Sequence, residues 1–301
     1  MQGLILSCGE GSRLYPFTKF NSKALVPYMG RTALYYQCQK MKKLGIDKVT
    51  LFYNKGKVED FKRAIEDIDI NLSCEYVESG WGNTWNKAKE LFKADIVVIL
   101  NCDIMLDSSY NDVAFIHTQN RADLSIVCSN NKSHILGREG RKAYIKKSDG
   151  WVKEYSTIPY DNSIEVKQIG MSIVNPDLWR LIAELDYYKF DPWTESFIPL
   201  AVNEFDRVQV IEKEGNFQDI GTWEAMYASY YNPLDEFEEC IEKKASNICE
   251  SNVVMNEKSL VKNTVVMRDS KIDFFAEVCN AIVLPGIHVE KNVVNDYVIK
   301  M

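Results

Sequence analysis

Gly3-Leu4-Ile5-Leu6-Ser7-Cys8-Gly9-Glu10-Gly11-Ser12-Arg13-Leu14-Tyr15-Pro16, followed by Ser22-Lys23-Ala24-Leu25-Val26-Pro27, is the stretch that decides the fold. The apolar run at its start predicts a short buried strand. The small residues after it predict a loop whose backbone N–H groups can approach an anion closely. Arg13 and Lys23 set two cations beside that loop, an arrangement suited to offsetting charge on a polyphosphate. Two competing phosphate loops are excluded. A dinucleotide fingerprint needs a third glycine where Leu14 stands, and a P-loop needs Gly-Lys-Ser/Thr, which this sequence lacks.

Outward from this stretch, residues 2–7, 48–53, 73–77, 95–101 and 123–128 read as short strands rich in Val, Ile and Leu. Helical patterns fall between them at about 31–44, 57–66 and 83–92, with another near 110–118. Such alternation implies parallel βαβ units with helices on both faces, and ligands on these sheets bind beyond the carboxyl ends of the strands. From 134 to 174 the pattern changes to shorter, antiparallel strands. Helices near 176–185, 193–203 and 221–230 and a strand near 207–212 complete this part.

The tail has a different rhythm. Ile248, Val254, Leu260, Val266, Ile272, Val278 and Leu284 are spaced by six, and Ile287, Val293 and Ile299 resume that spacing after a phase shift. A period of six fits neither helix nor ordinary strand; it is the hexapeptide signature of a β-solenoid of about three coils. The expected fold class is therefore α/β: a Rossmann-like, mostly parallel mixed sheet flanked by helices, then a short left-handed β-helix. The expected divisions are 1–232, an acidic connector at 233–247, and a solenoid at 248–301. An open-ended coil stack is expected to dock on its own domain or to form a homo-oligomer through the β-helix.

Composition bounds the partners. Of the 301 residues, 46% are hydrophobic and 26% charged, an ordinary globular balance, and the net charge of −7 argues against nucleic acid or an anionic membrane as the main partner. No apolar run approaches the length of a membrane span. Eight cysteines without a Cys-x-x-Cys pair and only three histidines leave no zinc-type pattern. The sequence enters a strand without a charged-then-apolar leader, so no signal peptide and a reducing, cytoplasmic setting are expected.

The opening stretch closely resembles the nucleotidyltransferases that join a nucleoside triphosphate to a sugar 1-phosphate. Their pattern, a strand followed by Gly-x-Gly-Thr-Arg-Leu-x-Pro-x-Thr and then Pro-Lys or Ser-Lys, stands here as Gly9 to Thr18 with Ser22-Lys23. The Tyr-Pro and Ser-Lys variants are most similar to glucose-1-phosphate thymidylyltransferases. The resemblance implies that Ser7, Cys8, Gly9, Gly11, Ser12 and Arg13 bind nucleotide, with Gly82 in the base-binding loop, and that Arg13, Lys23 and Asp103 are catalytic. It further implies that Asp103, in Asn101-Cys102-Asp103, and Asp219, in Asp219-Ile220-Gly221-Thr222, hold Mg²⁺, an ion that takes oxygen ligands and keeps waters. Trp81 and Trp85 flank Gly82, either over a nucleobase or packing the loop on the sheet. Gly170 matches a glycine that lets the acceptor approach. The base-binding loop departs from the family pattern on both sides of Gly82, and a second departure falls where the family places Glu-Lys-Pro, whose Lys holds the acceptor phosphate: this chain has Thr157-Ile158-Pro159. Lys153, or the basic run Arg138, Arg141 and Lys142, can substitute.

Three further readings stay open at this level. The acceptor can be a non-sugar phosphate or phosphonate, as in cytidylyltransferases acting on phosphocholine-like groups. The chain can be a non-catalytic regulatory paralogue that binds nucleotide, although Arg13, Lys23, Asp103 and Asp219 are all retained. An acyltransferase ranks last, because the tail is short and His288 is its only histidine.

Overall fold

A computed structural model describes residues 1–92, 94–130, 141–189, 191–290 and 293–294; Arg138 and Ile299 lie outside the described residues. The strands of the main sheet are β1 (Gln2–Ser7), β2 (Lys48–Tyr53), β3 (Asn71–Tyr76), β4 (Val97–Asn101), β5 (Leu124–Ser129), β6 (Arg141–Ser148), β7 (Trp151–Ser156), β8 (Ile164–Val174) and β9 (Val208–Lys213). Their order is β7-β6-β8-β4-β1-β2-β3, with β5 lying against both β8 and β9. The β4-β1-β2-β3 half and the β5–β9 pair are parallel, whereas β8 runs antiparallel to β4, β5 and β6. The mixed, mostly parallel sheet expected from the sequence is present.

Burial on both faces explains why β1 reads as one continuous apolar run rather than an alternating one. Leu4 joins Phe52, Trp85, Phe92 and Ile99 on one side, while its neighbour Ile5 joins Leu34, Met41, Leu51 and Phe61 on the other. The helices α1 (Ala33–Lys43), α2 (Val58–Ala64), α3 (Trp81–Phe92), α4 (Val113–Gln119), α5 (Ile198–Glu204) and α6 (Trp223–Tyr231) supply the covering side chains. Thr32 starts α1 by accepting the Tyr35 N–H at 3.2 Å, and Thr222 starts α6 by accepting the Ala225 N–H at 3.1 Å. Among the described residues, no helix is long and apolar enough to cross a membrane.

The tail forms a short β-helix whose strands stack in parallel as three ribbons, 247–249 on 265–266 on 282–283, 254–255 on 271–272 on 288–289, and 260–262 on 277–279 on 293–294. The six-residue spacing needs one correction. Ile248 pairs with Val265, Val254 with Lys271 and Leu260 with Glu277, so this first step advances 17 residues, one short of three hexapeptides. The inward positions are therefore Cys249, Met255 and Val261, then Val266, Ile272 and Val278, then Val283 and Val289. Val254 and Leu260 are 56% and 55% exposed. Ile248 and Leu284 are buried, but in a different core.

That second core joins the tail to the rest of the chain. Leu14, Tyr28, Met29, Trp223, Met226 and Tyr230 pack with Ile248, Val265, Met267, Ile282 and Leu284. The acidic stretch expected as a connector contributes to the same core through Leu234 and Phe237. Its strand 242–244 pairs antiparallel with 247–249, extending the first ribbon.

Candidate active site

The loop after β1 is fixed by side chains from three directions. Ser7 Oγ lies 2.9 Å from Ser22 Oγ and accepts the Ala24 N–H at 3.0 Å, which anchors the Lys23 turn to the strand end. Asn54 donates to the Cys8 carbonyl at 2.8 Å and to Ser79 Oγ at 2.7 Å. Thr18 donates to the Gly11 carbonyl at 2.6 Å. Gly11 adopts φ 65°, a left-handed conformation that a side chain at this position would strain. Ser12–Leu14 then form one 3₁₀ turn, with Leu14 fully buried and Arg13 projecting from it.

A second set of contacts brings the two acidic motifs together. β4 ends at Asn101, and the following residues double back as a short strand, Ile104–Leu106, that pairs antiparallel with Phe217–Asp219, setting Asp219 opposite Ile104. Gln37 of α1, buried, donates to the Ile104 carbonyl at 2.7 Å. The Ile220 N–H donates to the Asp103 carbonyl at 2.9 Å, and Trp223 Nε1 donates to the Tyr15 carbonyl at 2.9 Å. The Asp-Ile-Gly-Thr segment is thus tied both to Asp103 and to the opening loop.

The carboxylates converge on Gly221. A Cβ there would lie 2.6 Å from Asp103 Oδ2, 2.8 Å from Asp219 Oδ1 and 3.4 Å from Lys23 Nζ. Lys23 donates a short hydrogen bond to Asp103 Oδ2, and both side chains are largely buried. Burial alone would pull the Lys23 ammonium down, but the charge of Asp103, the hydrogen bond to it and the charge of Asp219 are among the effects that together outweigh burial, and the pKa is raised. Burial pushes Asp103 up; the Lys23 ammonium outweighs this, with Arg13 adding to it, and holds the carboxyl below its usual value. Asp219 moves the other way. Burial raises its pKa and the neighbouring Asp103 charge adds to that, against the pull of Lys23 and Arg13.

These groups line a cleft of about 690 Å³, in which Ser7, Cys8, Gly9, Gly11, Ser12 and Arg13 also sit. Arg141, Gln168, Gly170, Met171, Asp191 and Trp193 line the same cleft. Gly170, at φ 72°, lies in an irregular step of β8, and a Cβ on it would come within 2.7 Å of Asn101 Nδ2. Cys8, beside Thr84 at 3.2 Å, is buried, and that burial raises its pKa and keeps the thiol protonated.

Two expected residues fall outside this lining. Gly82 sits in the first turn of α3 with open space beside it, and Gly80 and Trp81 line the cleft instead. Lys153 does not reach the cleft; it lies on β7, where a bulge follows Val152, and its ammonium is 3.9 Å from Asp206. Ser79, Asn101, Gln168, Asp191 and Trp193 also line the cleft, and the sequence assigned none of them a role. Asp191-Pro192 carries a helix-start signal, but nothing in the sequence indicates that this helix start faces the cleft. Trp85 is buried, and its ring stacks on Trp193 at 4.3 Å, while Trp81, 41% exposed, lies parallel to Trp85 at 6.2 Å. Packing on the sheet therefore accounts for Trp85 and leaves Trp81 at the cleft edge.

Among the described residues, no group of three or more His, Cys, Asp and Glu side chains is placed to hold a metal ion. The site offers two carboxylates, so any bound cation would take its other ligands from waters or from a substrate.

Comparison with known proteins bears on this geometry. A family model described as nucleotidyl transferase matches residues 2–236. A bifunctional sugar-1-phosphate nucleotidylyltransferase/acetyltransferase from Sulfurisphaera tokodaii is 26% identical over 235 residues, covering 73% of this chain and 52% of that protein. A mannose-1-phosphate guanyltransferase from Yarrowia lipolytica is 26% identical over 229 residues, covering 73% of this chain and 61% of that protein. The chain thus spans between half and two-thirds of the length of these curated relatives. Among solved structures, a chain assigned as a glucose-1-phosphate thymidylyltransferase from Bacillus anthracis superposes with a TM-score of 0.59 at 18% identity, covering 74% of this chain and 90% of that one.

Proposed function

Because this chain belongs to the nucleotidyl transferase family, we propose that it condenses a nucleoside triphosphate with a sugar 1-phosphate, giving a nucleoside diphosphate sugar and pyrophosphate. The observation that carries this reading is the meeting of Lys23, Asp103 and Asp219 at Gly221, at the mouth of the Gly9–Arg13 loop. In the reaction, a phosphate oxygen of the acceptor forms a bond to the α-phosphorus, and the bond from that phosphorus to the bridging oxygen of pyrophosphate breaks.

The chain's own residues divide this work. Gly9, Gly11 and Ser12 present backbone N–H groups to the triphosphate. Arg13 can fork onto two oxygens of the leaving pyrophosphate as charge builds there, and Lys23 adds a point charge on the same side. Gly170 keeps the acceptor end free of a side chain. Asp103 and Asp219 suit Mg²⁺: oxygen donors, two protein ligands, and space where a Cβ would otherwise sit. When bound, Mg²⁺ supplies charge neutralisation at the phosphate oxygens. The names of the relatives support a sugar 1-phosphate as acceptor.

The test is pyrophosphate release with Mg²⁺, pairing ATP, GTP, CTP, UTP and dTTP in turn with mannose, glucose and N-acetylglucosamine 1-phosphates. Turnover with one pair, abolished by EDTA and restored by Mg²⁺, is expected. Turnover with phosphocholine or an aminophosphonate alone would replace the sugar reading. Nucleotide binding without turnover on any acceptor would make the chain a non-catalytic binder.

A further inference from the structure

Resting on the reaction proposed above, we propose that Arg141 grips the phosphate monoester of the acceptor and that Asp191 is the positioning residue that holds it there. Transfer requires the acceptor's phosphate to be held in line with the α-phosphorus, and a dianion in a cleft needs a cation at its own end. The position where the family resemblance places a lysine is Ile158, which is 71% exposed and absent from the cleft lining. Lys153 is outside the lining as well. The cations that do line the cleft among the described residues are Arg13, Lys23 and Arg141, and the charges of the first two act on Asp103.

Arg141 is built into the acceptor end rather than lying loosely over it. It begins β6 and stands directly opposite Gln168 of β8, two residues before Gly170. Residues paired in register share a face of the sheet, and Gln168 is buried and faces the cleft. A guanidinium Nη1 of Arg141 donates a short hydrogen bond to Asp191 Oδ2. Asp191 is itself pinned at the start of the helix that follows: its Oδ1 accepts the Trp193 N–H at 3.1 Å, and its Oδ2 accepts the Thr194 hydroxyl at 2.9 Å. The arginine side chain is about one-third exposed and is among the residues that line the cleft. A guanidinium has five donors in one plane and can meet two phosphate oxygens at once, a geometry that an ammonium lacks.

The test compares wild type, R141K and R141A. Pyrophosphate release is measured with mannose, glucose and N-acetylglucosamine 1-phosphates and phosphocholine. The same four compounds are titrated calorimetrically, and melting temperatures are recorded. Expected are an acceptor KM at least tenfold higher in R141A, an NTP KM within twofold of wild type, and an intermediate acceptor KM in R141K, which keeps the charge and loses the fork. An unchanged acceptor KM in R141A overturns the inference, as does an equal rise in both KM values, which would place Arg141 at the triphosphate. If wild type binds a phosphate monoester without turnover, the proposed reaction falls, and the role of Arg141 is decided by whether R141A loses that binding. If wild type neither turns over nor binds any of the four, both fall. A melting temperature lowered in R141A and normal in R141K leaves the R141K values to decide.

Discussion

Glu250 Oε1 accepts the Gly30 N–H at 2.8 Å, a hydrogen bond that spans 220 residues of sequence and fastens the β-helix to the hairpin following the Lys23 turn. The same carboxylate accepts the Tyr230 hydroxyl and, through Oε2, the Arg268 N–H at 2.9 Å, while Arg268 Nη1 returns to the Gly30 carbonyl at 2.7 Å. Glu250 is buried, so each of these donors loses its acceptor if the side chain is removed. Glu250→Ala is expected to lower stability by about 3 to 5 kcal/mol, since a stranded buried donor costs roughly 1–3 kcal/mol. Glu250→Gln keeps one acceptor oxygen and should lose about half as much. Urea unfolding of the full chain reads this; a change below about 1 kcal/mol in the alanine variant would mean that the joint is held by the apolar core alone.

Asp219 and Asp103 place two carboxylates against one glycine, an arrangement that suits the cation proposed above and opposes folding. Asp219→Asn removes the repulsion and retains an oxygen for the Gly221 N–H, which Asp219 Oδ1 now accepts at 2.8 Å. Turnover is expected to fall by ~10²-fold or more, on the scale of losing a charge-stabilising group, while the melting temperature stays level or rises. Arg13→Ala and Asp103→Ala should match the loss of turnover. Asp103→Ala should also lose stability, because it leaves the buried Lys23 ammonium without its counter-charge. Near-normal rates in Asp219→Asn would remove Asp219 from the site.

What could be read from the sequence follows from which features repeat and which depend on one distant contact. Strand β1, its glycine loop and the parallel half of the sheet were legible because apolar runs alternating with helical patterns allow few other packings. The coil rhythm of the tail was legible as a period, but its phase was not. One residue fewer per coil moves the inward position from Val254 to Met255 and from Leu260 to Val261, and the sequence is aliphatic at both. Ile248 and Leu284 keep the six-residue rhythm, yet they are buried because the tail packs on Trp223 and Met226. At the site, Arg13, Lys23, Asp103 and Asp219 sit in local motifs, and the fold brings all four to one cleft. Arg141 stood out only as one member of a basic run, because strand pairing with Gln168 is what aims it.

His117 supplies a test of pH dependence away from the cleft. It is buried in α4, with Nδ1 2.7 Å from Ser125 Oγ and Nε2 3.1 Å from Asn175 Oδ1. The Asn175 amide donates to the Ala122 carbonyl at 2.9 Å, which leaves its oxygen facing the ring, so Nε2 carries the proton and Nδ1 accepts from Ser125. Burial lowers the His117 pKa below 6.5, against weaker opposition from Asn175 and Asp123. The unfolded chain therefore binds this proton before the native one does as pH falls. Stability from this group is complete above the unfolded value and declines with acid until the native ring also protonates. The expected result is that wild type loses more stability than His117→Gln between about pH 7 and about pH 5, the window in which histidine titrates. Parallel curves for the two proteins would show that His117 keeps an ordinary pKa in the fold.

Gly221→Ala tests the geometry of the site with no change of charge. The new methyl would meet Asp103 Oδ2 at 2.6 Å and Asp219 Oδ1 at 2.8 Å, distances at which one carboxylate must move. A displacement of about 1 Å in a positioned group can reduce rate by ~10²-fold, so kcat at saturating substrates should fall by that order. Nucleotide affinity should change little, because Gly9, Gly11 and Arg13 are untouched. The loss should also be non-additive. In an Asp219→Asn background, where one of the two carboxylates is already disabled, the added methyl should reduce kcat only a few-fold further. Full additivity of the two substitutions would mean that the methyl acts on something other than the pairing of Asp103 with Asp219. A wild-type kcat in Gly221→Ala would show that the separation of these carboxylates does not set the rate.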